Sequence, residues 1–374
     1  MGLKDRAKIF KARKVLDSSY VPDTLQDRKT ELKEIEHYIS YALDGGIPPD
    51  LLVVGVTGSG KTVSVKYVLN ELREVMDILN EFVIANGTAY QILTRLARKC
   101  GCDVPIKGMG FVEVWDKFEE ILHDVNIFVL DEIDKTLIKD GEKLLYHLSR
   151  HPNICTIGIS NNLNAMGLIK DERVSSSFTP KKINFPPYNA NQLREILEYR
   201  AELAFHPNVL DDEVIPLCSA LAARKSGDAR YALELLSTSA DVAIRRNSTK
   251  VTEEDVKIAE GETEREFIRH SIENLSESQR LLLYSVLNSK EGESPTRIYQ
   301  YFNIINRKVG ISPLTQRRLS ELLKQLELLG LIDIERRGRK GRGKGVDWYV
   351  YPSIHLDIEM VKEVIERSFE EILA

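Results

Sequence analysis

Leu51-Leu-Val-Val-Gly55-Val-Thr-Gly-Ser-Gly60-Lys61-Thr62 joins a short apolar run to a glycine-rich turn that ends in a lysine and a threonine. The glycines let successive backbone N–H groups curl inward around an anion, and a helix beginning near Lys61 aims the positive end of its dipole at the same point. Those residue types in that order make a phosphate-binding loop, with Val56, Thr57, Gly58, Ser59, Gly60, Lys61, Thr62 and Val63 against a nucleotide. Lys61 is expected on the β and γ phosphates and the Thr62 hydroxyl on Mg²⁺.

Further along, Asn126-Ile-Phe-Val-Leu-Asp131-Glu132-Ile-Asp134 delivers two adjacent acids at the end of an apolar run, where open α/β sheets place their ligands. Asp131 suits a water-mediated hold on Mg²⁺. Glu132 suits orienting or deprotonating an attacking water, so the pair signals hydrolysis as well as binding. A solvated strand end followed by a helix cap is the bland alternative. Thr156-Ile-Gly-Ile-Ser160-Asn161-Asn162 ends another apolar run in small polar side chains. Asn161 is therefore a candidate for hydrogen bonding to the γ phosphate or the attacking water, where an isolated Asn would be a turn residue.

These groups need a scaffold that brings strand ends together. Leu51–Val54, Glu81–Asn86, Asn126–Asp131, Asn153–Ser160 and Lys181–Phe185 read as strands separated by helical stretches, the first helix carrying apolar residues from Val63 through Leu79. Such alternation specifies a parallel sheet covered on both faces. Pro186-Pro187 closes this nucleotide-binding domain, which spans 1–186. A helical domain follows over 187–262, with amphipathic helices at Asn191–Ala204, Asp211–Lys225, Asp228–Asn247 and Thr252–Ala259. A charged helix over Gly261–Asn274 bridges to a last domain over 263–374. There, helices at Glu277–Asn288, Ser294–Gly310 and Thr315–Gly330 precede strands at Leu331–Glu335 and Gly345–Tyr351. Three helices and a two-stranded hairpin make the winged-helix arrangement.

Thr315, Gln316, Arg317 and Arg318 open the third of those helices, from which such helices meet base edges or phosphates. Arg336, Arg337, Arg339, Lys340, Arg342 and Lys344 alternate with glycines in the turn, and no acid lies among them. A chain of 374 residues with a formal net charge of −5 thus carries one concentrated cationic tip. That suits a polyanion such as duplex DNA; a solvated loop is the alternative.

An apolar content of 43% is ample for ordinary cores, and no apolar run approaches the roughly 18 residues of a spanning helix, so no membrane role is expected. Cys100, Cys102, Cys155 and Cys218 are too few and too irregular for a disulfide framework or a zinc site, which points to a reducing cytoplasm. His147 and His151 lie one helical turn apart without further ligands, and are expected on a solvated helix face.

Taken in order, the phosphate loop, the Asp131-Glu132 strand, the Asn161 strand, Asp171-Glu-Arg173-Val-Ser-Ser-Ser-Phe178 and Gly227-Asp228-Ala229-Arg230 resemble the motifs of AAA+ ATPases. More narrowly they resemble those of the archaeal origin-recognition and helicase-loading initiators. Tyr20-Val21-Pro22 through Arg28, Phe185-Pro-Pro-Tyr188 and Pro313-Leu-Thr-Gln-Arg-Arg-Leu-Ser320 extend the resemblance over nearly the whole chain, while Ala85-Asn86-Gly87 departs from the family's pattern. The resemblance implies an α/β fold: an AAA+ phosphate-loop parallel-sheet domain, a helical lid domain and a C-terminal winged-helix domain, with ATP/ADP and Mg²⁺ as cofactors. It implies that Tyr20, Val21 and Arg28 border the adenine pocket and that Tyr188 also binds the nucleotide. Asn161 then takes the sensor-1 role, Arg173 is the arginine finger offered to a neighbouring subunit, and Arg230 is the sensor-2 arginine of the lid. Lys107, Gly108 and Gly110 occupy the place of an insertion used against DNA, with core packing of Phe111 and Trp115 as the other reading. The implied function is a cytoplasmic, nucleoid-associated replication initiator. It would hydrolyse ATP slowly, grip origin duplex beside paralogous subunits, and recruit the replicative minichromosome maintenance helicase. A winged-helix signal-transduction ATPase and a nucleotide-stabilised transcriptional regulator stand as alternatives.

Overall fold

The computed structural model describes residues 9–105, 108–137, 140–310, 313–338, 346–353 and 356–369. The chain divides into two compact units, Met1–Ala259 and Glu260–Ala374, so the boundary expected after residue 186 lies inside the first. In that unit β1 (Leu51–Gly55), β2 (Leu79–Ile84), β3 (Asn126–Asp131), β4 (Ile154–Ser160) and β5 (Lys181–Phe185) form a parallel sheet in the order β2-β3-β4-β1-β5. Leu51 faces Ile157 on one side and Lys181 on the other, and Ile84 faces Asp131. Side chains alternate between two cores. Leu51, Val53, Ile127, Val129, Ile157 and Ile159 pack with α1 (Lys29–Ile39) and α2 (Lys61–Val75). Leu52, Val54, Phe128 and Leu130 pack with α3 (Ala89–Lys99), α4 (Phe111–Glu119) and α6 (Glu142–Arg150). Burial on both faces is why these strands are apolar runs and not alternating ones. Between them, α5 (Ile133–Leu137) follows β3 and α7 (Glu172–Ser177) follows β4.

The first helix is shorter than its spacing suggested. Met76 is already extended at φ −149° and ψ 134°, and Leu79 opens β2, because the apolar positions at 76 and 79 satisfy either element. Beyond β5, α8 (Ala190–Ala204), α9 (Val214–Lys225) and α10 (Ala229–Arg245) enclose their own core of Leu193, Leu197, Cys218, Leu235 and Leu236, joined by Ile9, Val15 and Leu16. The two short helices expected around Gly261 are one, α11 (Glu253–Glu273). Gly261 keeps a helical sign of φ and has open space where a Cβ would stand, so nothing there breaks the helix.

The second unit has α12 (Glu277–Leu287), α13 (Pro295–Val309) and α14 (Gln316–Leu328), then an antiparallel hairpin of β6 (Ile332–Gly338) and β7 (Val346–Pro352). This is the expected winged helix, around Leu282, Phe302, Leu323, Ile332 and Val350. Two features differ from expectation. Arg336 and Arg337 lie within β6, opposite Trp348 and Asp347, not in the turn. A further helix, α15 (Ile358–Arg367), seats Val361 and Ile365 in the core and accepts a 2.8 Å hydrogen bond from the Tyr284 hydroxyl on Glu366 Oε1. Among the described residues, no helix is long and apolar enough to cross a membrane.

Candidate functional site

β3, β4 and β1 are neighbours in the sheet, so the groups at their C-terminal ends meet. In the loop after β1, Gly58 and Gly60 hold left-handed φ angles of 71° and 89°. A Cβ on Gly58 would lie 1.7 Å from Asp228 Oδ1, and one on Gly60 2.3 Å from the Tyr188 hydroxyl, so only glycine fits either position. The Lys61 ammonium donates to the carbonyls of Gly55 at 2.9 Å and Val56 at 2.7 Å, and to Asn161 Oδ1 at 3.0 Å. Burial pushes its pKa down to about 8, with Asp131 pulling the other way. A buried ammonium satisfied only by neutral oxygens is poised for an anion.

Thr62 Oγ1 donates to Asp131 Oδ2 at 2.9 Å, which puts a hydroxyl and a carboxylate on one space. Two hard oxygen donors beside a phosphate cradle fit Mg²⁺, an ion that takes few protein ligands and completes its shell with phosphate oxygens and water. Among the described residues, no group of three or more His, Cys, Asp or Glu could hold a metal unaided. Burial raises the Asp131 carboxyl, and hydrogen bonds from Thr62 and the Glu132 N–H pull it back. Glu132 itself has a left-handed φ of 59°, and its carboxylate pairs with Lys135 at 2.7 Å. Such backbone on a long side chain costs of order 1 kcal/mol and gathers at functional turns.

A cavity of about 420 Å³ opens over the loop. Its wall brings together Gly58, Gly60, Lys61, Thr62, Val63, Asp131, Glu132, Asn161, Tyr188 and Arg230. Val56 and Thr57 are exposed and off this wall, while Ser59 is fully buried and donates to the Val56 carbonyl at 2.8 Å. Tyr20, Val21 and Arg28 are also off it; Pro22, Thr24, Leu25 and Gln26 line it instead. Arg28, 1% exposed, works behind the loop. It donates to the carbonyls of Ser59 at 3.1 Å and Pro186 at 2.6 Å, pairs with Glu31 at 2.7 Å, and lies 3.9 Å from the Tyr188 ring centroid. Each of its three nitrogens donates to the protein, which makes it a strut behind the loop. Tyr20 packs under Arg200, which donates to the Tyr20 carbonyl at 3.1 Å and to the Val15 carbonyl at 2.6 Å. Ile196, Tyr199, Arg200 and Leu233 also line the wall. No local signal marks them, since their spacing is that of any amphipathic helix.

Arg230 stands at the start of α10, its side chain 49% exposed and its Nε 3.6 Å from Asp228 Oδ1. Asp228 caps that helix, and the Ala229 N–H donates to the Gly58 carbonyl at 3.1 Å, so the lid rests directly on the loop. Arg173 is off the cavity wall, 75% exposed, paired with Asp171 at 2.7 Å and stacked on Tyr146. Gly108 has a φ of 99° and Gly110 precedes α4, whose Phe111 and Trp115 are buried. His147 is half-buried against both rings, and burial lowers its pKa; His151 sits beside Glu119 at 3.4 Å. Lys107 lies outside the described residues.

In the second unit, Thr315 Oγ1 accepts the Arg318 N–H and is committed as the cap of α14, while Gln316 is exposed. Arg317 and Arg318 both pair with Glu321, at 3.5 and 3.1 Å. Arg336 pairs with Glu327 at 2.5 Å over the Trp348 ring, and Arg337 with Glu335 at 2.7 Å over Tyr349. Arg339, Lys340, Arg342 and Lys344 lie outside the described residues.

Residues 194–261 match the Cdc6 AAA+ ATPase-type lid domain, and residues 270–357 match the CDC6 C-terminal winged helix domain. The chain is 53% identical over 366 residues to an ORC1-type DNA replication protein of Methanothermobacter thermautotrophicus, covering 97% of this chain and 99% of that one. It is 37% identical over 391 residues to an ORC1-type DNA replication protein of Thermococcus kodakarensis, covering 96% and 94%. Among solved structures it is similar to the Aeropyrum pernix ORC1 protein in complex with DNA, at 34% identity and a TM-score of 0.82 over 97% of this chain and 98% of that one. The Aeropyrum pernix ORC2 protein, at 21% identity and a TM-score of 0.62 over 97% of this chain and 100% of that one, has the same fold.

Proposed function

The chain belongs to the family of archaeal ORC1-type DNA replication proteins, and from that premise we propose that it is an ATP-dependent initiator whose nucleotide state sets its grip on origin duplex. The observation that carries this reading is the meeting of Lys61, Thr62, Asp131 and Asn161 at adjacent strand ends, under a cavity that Arg230 of the lid also lines. Lys61 and the loop N–H groups bind the phosphates. Asn161 holds the γ phosphate or the attacking water, and Glu132 orients that water and accepts its proton. Thr62 and Asp131 would hold Mg²⁺, which when bound neutralises charge on the β and γ oxygens. The pairing of Glu132 with Lys135 supports slow turnover, because the base must leave a partner to reach water. Arg173 serves the nucleotide of a paralogous subunit, a role supported by its exposure and its distance from its own cavity wall.

Duplex contact falls to Gln316, Arg317 and Arg318 at the start of α14, to Arg336, Arg337 and the cationic turn that follows, and to the insertion around Gly108 and Gly110. That the similar Aeropyrum pernix ORC1 protein is in complex with DNA supports DNA as the partner. Recruitment of the replicative minichromosome maintenance helicase is the downstream step. Lys61→Ala should abolish ATP binding in calorimetric titration. Glu132→Ala should keep binding and stop phosphate release; hydrolysis at the parental rate would remove Glu132 as the base. Footprinting on genomic fragments should place sites at replication start points, and sites at promoters would favour a transcriptional regulator.

A further inference from the structure

Asn161 follows Ser160, the last residue of β4. Ser160, 1% exposed, accepts the Asn162 N–H on its Oγ at 2.9 Å, which closes the turn around Asn161. Its hydroxyl lies 2.7 Å from Asp134 Oδ1 and 3.3 Å from the Asn162 carbonyl, and the shorter bond to the charged acceptor is the stronger one. Asn162 Oδ1 in turn accepts the Asn164 N–H at 2.9 Å. Asp134 belongs to α5, the short helix that begins one residue after Glu132, and it is off the cavity wall.

We propose that Asp134 is a positioning residue for the site. Through Ser160 it fixes the turn that holds the Asn161 amide against Lys61, and so locks the strand end bearing Asp131 and Glu132 to the strand end bearing Asn161. The bond is charge-assisted and its Ser160 end is buried, so it specifies one geometry where a bare strand end would sample several. With Asp134 truncated, the hydroxyl of Ser160 turns to the Asn162 carbonyl and the turn loosens. The α and β phosphates fall to Lys61 and the loop N–H groups, while Asn161 is given to the γ phosphate or the attacking water, so ADP affinity and turnover should separate.

This inference rests on the hydrolytic reading given above, and its test uses the full chain with ATP and ADP. Asp134→Ala should lower turnover by about 10-fold to 100-fold, the scale of a misplaced reacting group, while the Kd for ADP stays within about threefold. Asp134→Asn, which keeps an acceptor for the Ser160 hydroxyl, should restore turnover to within about threefold of the parent. Asp134→Ala combined with Asn161→Ala should be no slower than Asn161→Ala alone, because both act on one unit. Hydrogen exchange at the Asn162 amide should quicken by about tenfold or more in Asp134→Ala and not in Asp134→Asn. Multiplicative losses in the double variant, or an Asn162 amide unmoved in Asp134→Ala, would overturn the assignment. If Asn161→Ala alone hydrolysed ATP at the parental rate, the role given to Asn161 would fail, and the amide exchange would still decide whether Asp134 holds the turn.

Discussion

Asp50, the residue before β1, accepts the Thr156 N–H of β4 on its carboxylate at 2.7 Å, and burial pushes its pKa up to about 6. An acid raised in the folded state binds its proton more tightly there than in the unfolded chain. Its contribution is therefore complete below the unfolded value near 3.8 and is lost as pH climbs through about 6. The loss is at most about 3 kcal/mol, and nearer 1–2 kcal/mol for a group this incompletely enclosed. Asp50→Asn keeps the acceptor and removes the charge. Urea unfolding from pH 4.5 to 8 should show its advantage over the parent growing to about 1–2 kcal/mol at the alkaline end; a constant difference would contradict this. Arg28 makes the opposite case, since its guanidinium satisfies two carbonyls at once. Arg28→Met should cost about 2–4 kcal/mol in unfolding and weaken ATP binding as the loop relaxes. Arg28→Lys should not rescue it, because an ammonium cannot span the same fork. Sequence put Arg28 beside the adenine pocket, and its contact with the Ser59 carbonyl was not legible, since no local pattern tells which way a side chain turns.

The same limit appears among the elements. The strands were legible because both faces of a parallel sheet are buried and four or five apolar residues in a row have few other uses. The continuity of α11 through Gly261 was not, because glycine is read as a breaker and only the surrounding space reveals that it is merely unfilled. Gly261→Ala in the middle of α11 should raise stability by about 0.5–1 kcal/mol, detectable as a higher midpoint in thermal unfolding. A lower midpoint would mean that Gly261 serves as a bend. Likewise β6 runs on to Gly338, and its arginines have carboxylate partners that a composition count cannot see.

For the whole molecule those partners alter the expected electrostatics. Arg336 and Arg337 must give up Glu327 and Glu335 to reach phosphate, whereas Arg339, Lys340, Arg342 and Lys344 have no acid among them in the sequence. Duplex affinity should fall with salt at a log–log slope near −0.9 per phosphate neutralised, so four contacts contribute about −3.6. Replacing those four by alanine should remove about that much slope, and replacing Arg336 and Arg337 should remove less. A slope unchanged by the four substitutions would sink the wing as a phosphate-binding surface.

By itself the sequence determined the phosphate loop, the acids at the end of β3, the Asn after β4 and the winged helix, because each is written in neighbouring residues: glycines in a turn, a run of apolar side chains, an alternation of elements. Only the tertiary structure decided which strand ends lie side by side, that Arg200 reaches across 185 residues to the Val15 carbonyl, and that Asp134 joins β4 through Ser160. Those contacts depend on chain segments meeting in space, and a hydrogen bond between distant residues leaves no periodicity behind.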